Sequence, residues 1–470
     1  MLKPQISPSH TADSADAAPS PVAPLPAVLA QPAPTPAAEA RIPTFAALRI
    51  RNYRLFFAGQ AVSNTGTWMQ RIAQDWLVLQ LTNSPLAVGI TIGLQFAPML
   101  FLGLFGGLVA DRFAKRRLLI ITQSVMCGLA GVLAGLTLAG RIQVWHVYVI
   151  ALGLGVVTVL DNPARQTFVN EMVPQHLVRN AVGLNSGNFQ LARMVGPAVA
   201  GVLISTIGIG ATFALNAASY LGVLVGLALI RPAELLRLPR ATRGPGQVRE
   251  GLRFVRSRPD LIATIVLVFI IGTFGFNFAI ILSAYAKDVF HSGAGTYGLL
   301  NSVMAGGSVL GALVAARRTT SRLAGLVATA VGFSALLLVL GGLRWMPAFA
   351  AVLFVAGLVS ITFNTLGNSS IQLGTPAALR GRVMSLYMLV FLGSTPIGSL
   401  LVGWITDRWG APTALLVTGA ICLVATTAVG AIIARRNRVT LHVDLHRGEP
   451  HLRVVPRAAA GQVRVSSAAG

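Results

Sequence analysis

Apolar residues run along this chain in long uninterrupted stretches, without the alternation expected of strands or the short amphipathic repeats of soluble helices. Twelve such stretches follow a polar beginning, near 55–81, 86–110, 117–139, 145–167, 181–206, 211–230, 260–286, 296–316, 322–342, 347–370, 382–406 and 412–434. Each reaches the ~20 residues that carry a helix across a ~30 Å hydrocarbon core. A helix satisfies its backbone hydrogen bonds within the segment, as lipid demands, and nothing resembles the period-two pattern of a barrel. The pattern predicts an all-α membrane protein with twelve transmembrane helices. The stretches near 145–167 and 347–370 run into polar, Asn-containing sequence, so their ends are the least defined.

Composition agrees with that pattern. Of 470 residues, 54% are hydrophobic and 11% charged, against roughly 25% charged in soluble domains. Three soluble domains, the estimate from length alone, are excluded. The net charge of +23 would suit a nucleic-acid partner, but its distribution argues against one. With the N-terminus inside, 31 of the 37 Lys and Arg residues fall in inside segments and four (Arg141, Lys287, Arg344, Arg408) outside. Arg71 and Arg193 lie within spans. This is the positive-inside bias of a multi-pass protein of the inner or plasma membrane with both termini cytoplasmic. The lipid bilayer, not nucleic acid, is the expected partner of the basic surplus. Cys127 and Cys422 both sit in apolar runs, which leaves no disulfide framework or zinc cluster.

Residues 1–42 hold nine of the 25 prolines among many Ala and Ser, a composition that cannot offset its ordering entropy and reads as a disordered cytoplasmic tail. Residues 43–231 carry six spans, 232–258 form a cytoplasmic linker, 259–436 carry six more, and 437–470 form a basic cytoplasmic tail. The halves echo each other. Gly106-Gly107-Leu108-Val109-Ala110-Asp111-Arg112 matches Gly311-Ala312-Leu313-Val314-Ala315-Ala316-Arg317, and Asn162–Pro174 mirrors Asn364–Pro376 at an offset of 202. The same offset maps Gly196 onto Gly398 and Gly201 onto Gly403. Two pseudo-symmetric six-helix halves joined by a loop describe a duplicated transporter.

The stretch Gly107-Leu108-Val109-Ala110-Asp111-Arg112-Phe113-Ala114-Lys115-Arg116-Arg117 resembles the loop motif G-x-x-x-D-R-x-G-R-R of the major facilitator superfamily, with Ala114 at the usual Gly. That resemblance implies the major facilitator fold and a cytoplasmic charge latch at Gly107, Asp111, Arg112, Arg116 and Arg117, whose acid has become Ala316 in the second half. Gly66-Thr67-Trp68-Met69-Gln70 and Asp161-Asn162-Pro163-Ala164-Arg165-Gln166 look like the enterobactin-exporter-like branch, which exports drugs and siderophores. Gly196-Pro197-Ala198-Val199-Ala200-Gly201 is similar to the helix-five motif associated with antiporters.

Ionisable groups deep in a bilayer are costly and mark function by default. Gln60, Asn64, Trp68, Arg71 and Asp75 are spaced 4, 4, 3 and 4, so they share one helical face. Such a face suits a wet cavity better than lipid. Asp75 is the leading proton carrier, with Arg71 one turn away as its modulator; a purely structural Arg71–Asp75 pair is the alternative. Arg193, sharing a face with Gln190 and Pro197, suits an anionic substrate group or a pair with Asp75. Asp161 and Arg165 form a latch across Pro163, with proton transfer at Asp161 the lesser reading. Asn277 joins the candidate cavity lining. His442, Asp444, His446 and His451 look like ligands only superficially, being in the tail. No nucleotide-binding loop or nucleophile–base arrangement is present, so neither enzyme activity nor a cofactor or metal is expected.

These observations lead to a monomeric secondary transporter that exports a small molecule, driven by inward proton flow and working by alternating access. Import or facilitated diffusion is one alternative, and a non-transporting membrane sensor or assembly partner is the other.

Overall fold

The computed structural model describes residues 43–236, 247–316, 323–436, 439–444 and 451–456. The chain divides into two units, Met1–Pro43 and Thr44–Gly470; every element below belongs to the second, and the Pro/Ala-rich segment 1–42 lies outside the described residues. Six long helices come first: α1 (Arg51–Thr82), α2 (Pro85–Arg112), α3 (Lys115–Leu138), α4 (Val144–Met172), α5 (Gln175–Ile207) and α6 (Ile209–Leu229). A short α7 (Gln247–Ser257) follows within the expected linker. Then α8 (Pro259–Ile270) and α9 (Phe278–Ala284) make one interrupted rod, with π-helical turns at Ile271–Gly275 and Tyr285–Val289. The rest is α10 (Ala294–Ala316), α11 (Leu323–Gly342), α12 (Met346–Leu373) and α13 (Ala377–Arg436).

Ten stretches among the described residues are long and apolar enough to cross a membrane. Helix α1 is not one of them, because it carries Gln60, Asn64, Gln70, Gln74 and Asp75, all of which the bundle buries. Helix α13 counts once although its 60 residues would extend about 90 Å if straight. It is broken at Gly410 (φ 80, ψ 161), a backbone conformation open to glycine and strained for other residues. Within residues 437–470, expected as a basic cytoplasmic tail, Val439–Asp444 (β1) and His451–Pro456 (β2) form an antiparallel pair with Asp444 opposite His451.

Local chemistry explains the helix ends. Asn83 closes α1 in the left-handed region (φ 55), which asparagine tolerates. Ser84 then caps α2, its Oγ accepting from the Ala87 amide at 3.3 Å, with Pro85 in the first turn. Gln143 and His146 cap α4 reciprocally.

Helices α1–α6 pack as one group (α1 on α5 and α6, α3 on α4 and α6, α2 on α4), and α8–α13 as another (α10 and α11 on α12, α11 on α13). The groups meet chiefly through α2 with α13 and α5 with α10. Glycines set the spacing. A Cβ on Gly106 would come within 2.2 Å of the Val159 carbonyl oxygen, and one on Gly311 within 2.5 Å of Leu358 O. Gly155 abuts Gln95 O as Gly357 abuts Met304 O. The α2–α4 and α10–α12 contacts are therefore built alike. Lipid gives no hydrophobic incentive for helices to associate, so such backbone-to-backbone approach supplies the packing that holds them.

Two apolar clusters fill the interior. One joins the 53–56, 118–119, 164–173 and 223–230 ends of the first group; the other runs through both groups and includes Phe278, Tyr285, Tyr297, Phe333 and Phe349. Large aliphatic side chains such as Val132, Val149, Leu313 and Val424 stay exposed, as lipid contact allows. Trp145, Trp345, Trp404 and Trp409 are exposed too, near the α3–α4 turn, the α11–α12 turn and the Gly410 break.

Candidate functional site

The polar face of α1 separates into three levels. At the first, Asp161 of α4 is fully buried and accepts from Thr122 Oγ1 (2.7 Å) and Gln123 Nε2 (2.8 Å) of α3 while pairing with Arg165 one turn on. Arg165 Nη1 also donates to Asn64 Oδ1 at 3.1 Å. Asn64 is therefore tied to the Asp161–Arg165 pair and not to Asp75. Gln60, a turn before it, is buried with neither amide atom hydrogen-bonded.

At the second level, two arginines approach the Trp68 ring. The Arg71 guanidinium carbon is 4.7 Å from the indole centroid and that of Arg193, from α5, is 5.7 Å away. Phe96 of α2 is 5.8 Å from Arg71, and Phe189 of α5 meets Trp68 edge-on at 5.7 Å. Gly196 allows this approach: a Cβ there would sit 2.6 Å from Trp68 Cβ and 3.1 Å from Thr65 O.

At the third level, Tyr297 of α10 donates its hydroxyl to Asp75 Oδ2 at 3.0 Å, and its ring stacks on Trp76 at 6.1 Å. Both residues are buried. This bond joins the two helix groups. The expected partners of Asp75 differ from those found: among the described residues no ion pair links it to Arg71 or Arg193. In the sequence Tyr297 is one aromatic residue at the start of an apolar run, and no local signal marks it; Phe96 and Thr122 were equally unmarked.

The other expected site residues scatter. Gln190 is half-buried on α5. Asn277 Nδ2 donates to Thr273 O (2.7 Å), so its amide serves the helix break before α9. Gly201 faces α10, where an added Cβ would lie 3.1 Å from Gly295 Cα, and Gly298 abuts the Pro197 carbonyl oxygen. The helix-five motif thus packs on α1 through Gly196 and on α10 through Pro197 and Gly201.

At the far end, Arg112 and Arg117 are exposed, while the Asp111 side chain and the surroundings of Gly107 lie outside the described residues. Arg116 donates from Nε to Leu227 O (2.7 Å) and from Nη2 to Ala228 O (3.1 Å), and Arg51 Nη1 donates to Leu229 O (3.1 Å). Two cations thus satisfy the free carbonyls in the last turn of α6, where the helix dipole is negative. Lys115 pairs with Glu171 at 2.7 Å.

A model of the transmembrane secretion effector family matches residues 42–466. The chain belongs to this family of the major facilitator superfamily. It is accordingly a multi-pass membrane transporter of small molecules and not an enzyme. It is 23% identical over 398 residues to the staphyloferrin A transporter of Staphylococcus aureus, covering 84% of this chain and 99% of that protein. The multidrug efflux pump Tap of Mycobacterium tuberculosis is 27% identical over 374 residues (73% and 84% covered), and the enterobactin exporter EntS of Citrobacter koseri 26% over 369 (75% and 84%). Among solved structures, a bacterial homologue of the human lysosomal transporter Spinster, inward-facing and unoccupied, superposes with a TM-score of 0.66 at 12% identity, over 82% of this chain and 97% of that one. That likeness is one of fold.

Proposed function

We propose that this transporter is a proton-coupled exporter of a small organic molecule that alternates access between two six-helix halves. The observation that carries the reading is Asp75, a buried carboxylate engaged by Tyr297 across the helix groups. Twelve spans follow if α1 is counted, its polar residues being sheltered by protein, and if α13 is two spans divided at Gly410. The paired glycine contacts of α2–α4 and α10–α12 support the two halves. The basic helix ends and the exposed tryptophans of the opposite ends support cytoplasmic termini, since interfacial aromatics and inside Lys and Arg are the ordinary anchors of a multi-pass chain.

Near the α1–α2 turn the halves are joined tightly. Ser84 Oγ donates to Asp407 Oδ1, Lys287 Nζ bonds Leu79 O at 3.3 Å, and Gly89 and Gly403 let α2 and α13 touch. We read this as the extracellular end, closed. Opening it separates Tyr297 from Asp75, leaving the carboxyl free to take a proton from outside. Inward proton movement adds ~2.3 kcal/mol per charge per 100 mV to the work available for export. The efflux and siderophore-export names of its relatives support the direction. The Asp161–Arg165 pair and the basic groups at Arg112, Lys115, Arg116 and Arg117 would serve as cytoplasmic latches.

The test is retention of fluorescent compounds in cells lacking their own exporters, with wild type, Asp75→Asn and empty vector, each with and without an uncoupler. Uncoupler-sensitive depletion that Asp75→Asn abolishes supports the proposal, provided the variant is folded and in the membrane. Depletion that survives Asp75→Asn removes Asp75 as the proton site, and accumulation in place of depletion reverses the direction.

A further inference from the structure

The three levels of the α1 face differ in how their charges are satisfied. Arg165 spends its guanidinium on Asp161 and Asn64, and Arg116 spends its own on the α6 carbonyls. Arg71 and Arg193 do neither. A guanidinium carries five N–H donors and no acceptor, and among the described residues no hydrogen bond leaves either side chain. The Arg71 Nε is buried without a partner. Among the described residues no carboxylate forms an ion pair with either arginine. The charged neighbour that acts on Arg193 is Arg71 itself, so the two repel. Asp75, one turn along α1, acts on Arg71 by charge without forming an ion pair, and its hydrogen bond comes from Tyr297.

A buried unpaired donor such as Arg71 Nε and like charges held near each other on half-buried side chains are costly, and here the fold holds them in place. Gly196, one turn from Arg193, admits Trp68 against α5, and the indole then attracts both guanidiniums by cation–π contact. Phe96 and Phe189 extend the aromatic surface around them. The missing component is negative charge on a body that can lie against rings.

Resting on the transport reading above, we infer that Arg71 and Arg193, spread on Trp68, form the substrate site, and that the substrate is an organic anion with a planar or aromatic body. Its carboxylate or equivalent oxyanion accepts from the two guanidiniums, including Arg71 Nε, and its ring packs against Trp68, Phe96 and Phe189. Bound anion cancels the repulsion between the arginines, whereas a cation would add a third positive charge. Specificity between charge types therefore resides at this level, and proton exchange resides one level away at Asp75.

Calorimetric titration of the purified full-length chain in lipid nanodiscs tests this with three ligands of one shape: 2-naphthoate, neutral 2-naphthamide and the 2-naphthyltrimethylammonium cation. The wild type is expected to bind naphthoate about tenfold or more tighter than the amide, and the cation least. Arg71→Gln and Arg193→Gln are each expected to weaken naphthoate about 10- to 100-fold, the loss of a charged hydrogen bond, and to leave amide binding little changed. Equal binding of all three ligands by the wild type overturns the inference without recourse to any variant. So does preference for the cation, no naphthoate binding at millimolar concentration, or full naphthoate affinity in both variants. Anion-selective binding together with uncoupler-insensitive retention in cells would remove the proton-driven export reading and leave this site standing. Uncoupler-sensitive export of cations without naphthoate binding would do the reverse.

Discussion

Tyr297→Phe removes one oxygen from the bond that ties α10 to Asp75 and leaves the ring that stacks on Trp76. Packing loss is therefore small, and the change isolates a single hydrogen bond of 3.0 Å between buried groups. A bond to a charged acceptor is worth about 1.5–3 kcal/mol, and one to a neutral acceptor about 0.5–1.5. Because the bond exists only while the groups are together, its loss shifts the closed-to-open ratio at the α1–α2 turn end. The shift is about 10- to 150-fold for a carboxylate and about 2- to 13-fold for a carboxylic acid. Spin labels at Arg141→Cys and Arg344→Cys, both exposed at that end on different groups, report the two populations as a distance distribution once Cys127 and Cys422 are replaced. In an Asp75→Leu background the hydroxyl has lost its acceptor, so Tyr297→Phe should there be neutral or should favour closure. A shift below twofold in the parent, or an equal shift in both backgrounds, would refute the idea that this bond holds the groups together.

Three further outcomes follow from the packing. Arg165→Met strands the buried Asp161 carboxylate with only Thr122 and Gln123 and is expected to destabilise the purified transporter by about 3–5 kcal/mol, as breaking a buried pair does; the double variant with Asp161→Asn should recover much of the lost thermal stability. Gly201→Val places its Cβ against the Gly295 backbone and should open the α5–α10 contact or cost about 1–3 kcal/mol, visible in the same distance distribution, whereas Gly187→Val on the same helix meets nothing within 4 Å and should be silent. Ser84→Ala loses both the α2 cap and the link to Asp407, so a loss of about 1 kcal/mol is expected in thermal unfolding, and Asp407→Asn should cost less because the cap remains.

What the sequence made legible was whatever lipid and close packing force on a chain. Lipid demands continuous apolar helices, so the spans could be read as hydrophobic runs, twelve in the sequence against ten sufficiently long and apolar stretches among the described residues. Helix contact in lipid demands glycine, so the repeat surfaced as Gly106 with Gly311 and Gly196 with Gly398, whose nearest neighbours are backbone oxygens at Gly106, Gly311 and Gly398 and the Trp68 Cβ at Gly196. Charge pairing one turn apart was readable at Asp161–Arg165, because both partners lie on one helix. At Arg71–Asp75 the one-turn spacing brings the two groups near enough to act on each other by charge, but among the described residues they form no ion pair. Helical spacing says that two side chains share a face, but which groups engage depends on what the facing helices present. For Asp75 that is a tyrosine 222 residues away, and for Arg71 it is an indole on its own helix and a ring from α2. Helix α1 shows the limit from the other side: its run near 55–81 is legible in the sequence, yet with its buried glutamines and asparagines it is not among the ten stretches apolar enough to span, and the same helix carries Trp68, Arg71 and Asp75. A polar group on a membrane helix states that some partner must exist. Where the fold supplies that partner, as for Asp161, the group is part of the scaffold. Where it supplies an aromatic face and, among the described residues, no hydrogen-bonded or ion-paired carboxylate, as for Arg71 and Arg193, we infer that the partner comes from outside the chain, and a pair of guanidiniums left in that condition is the strongest functional statement this transporter makes.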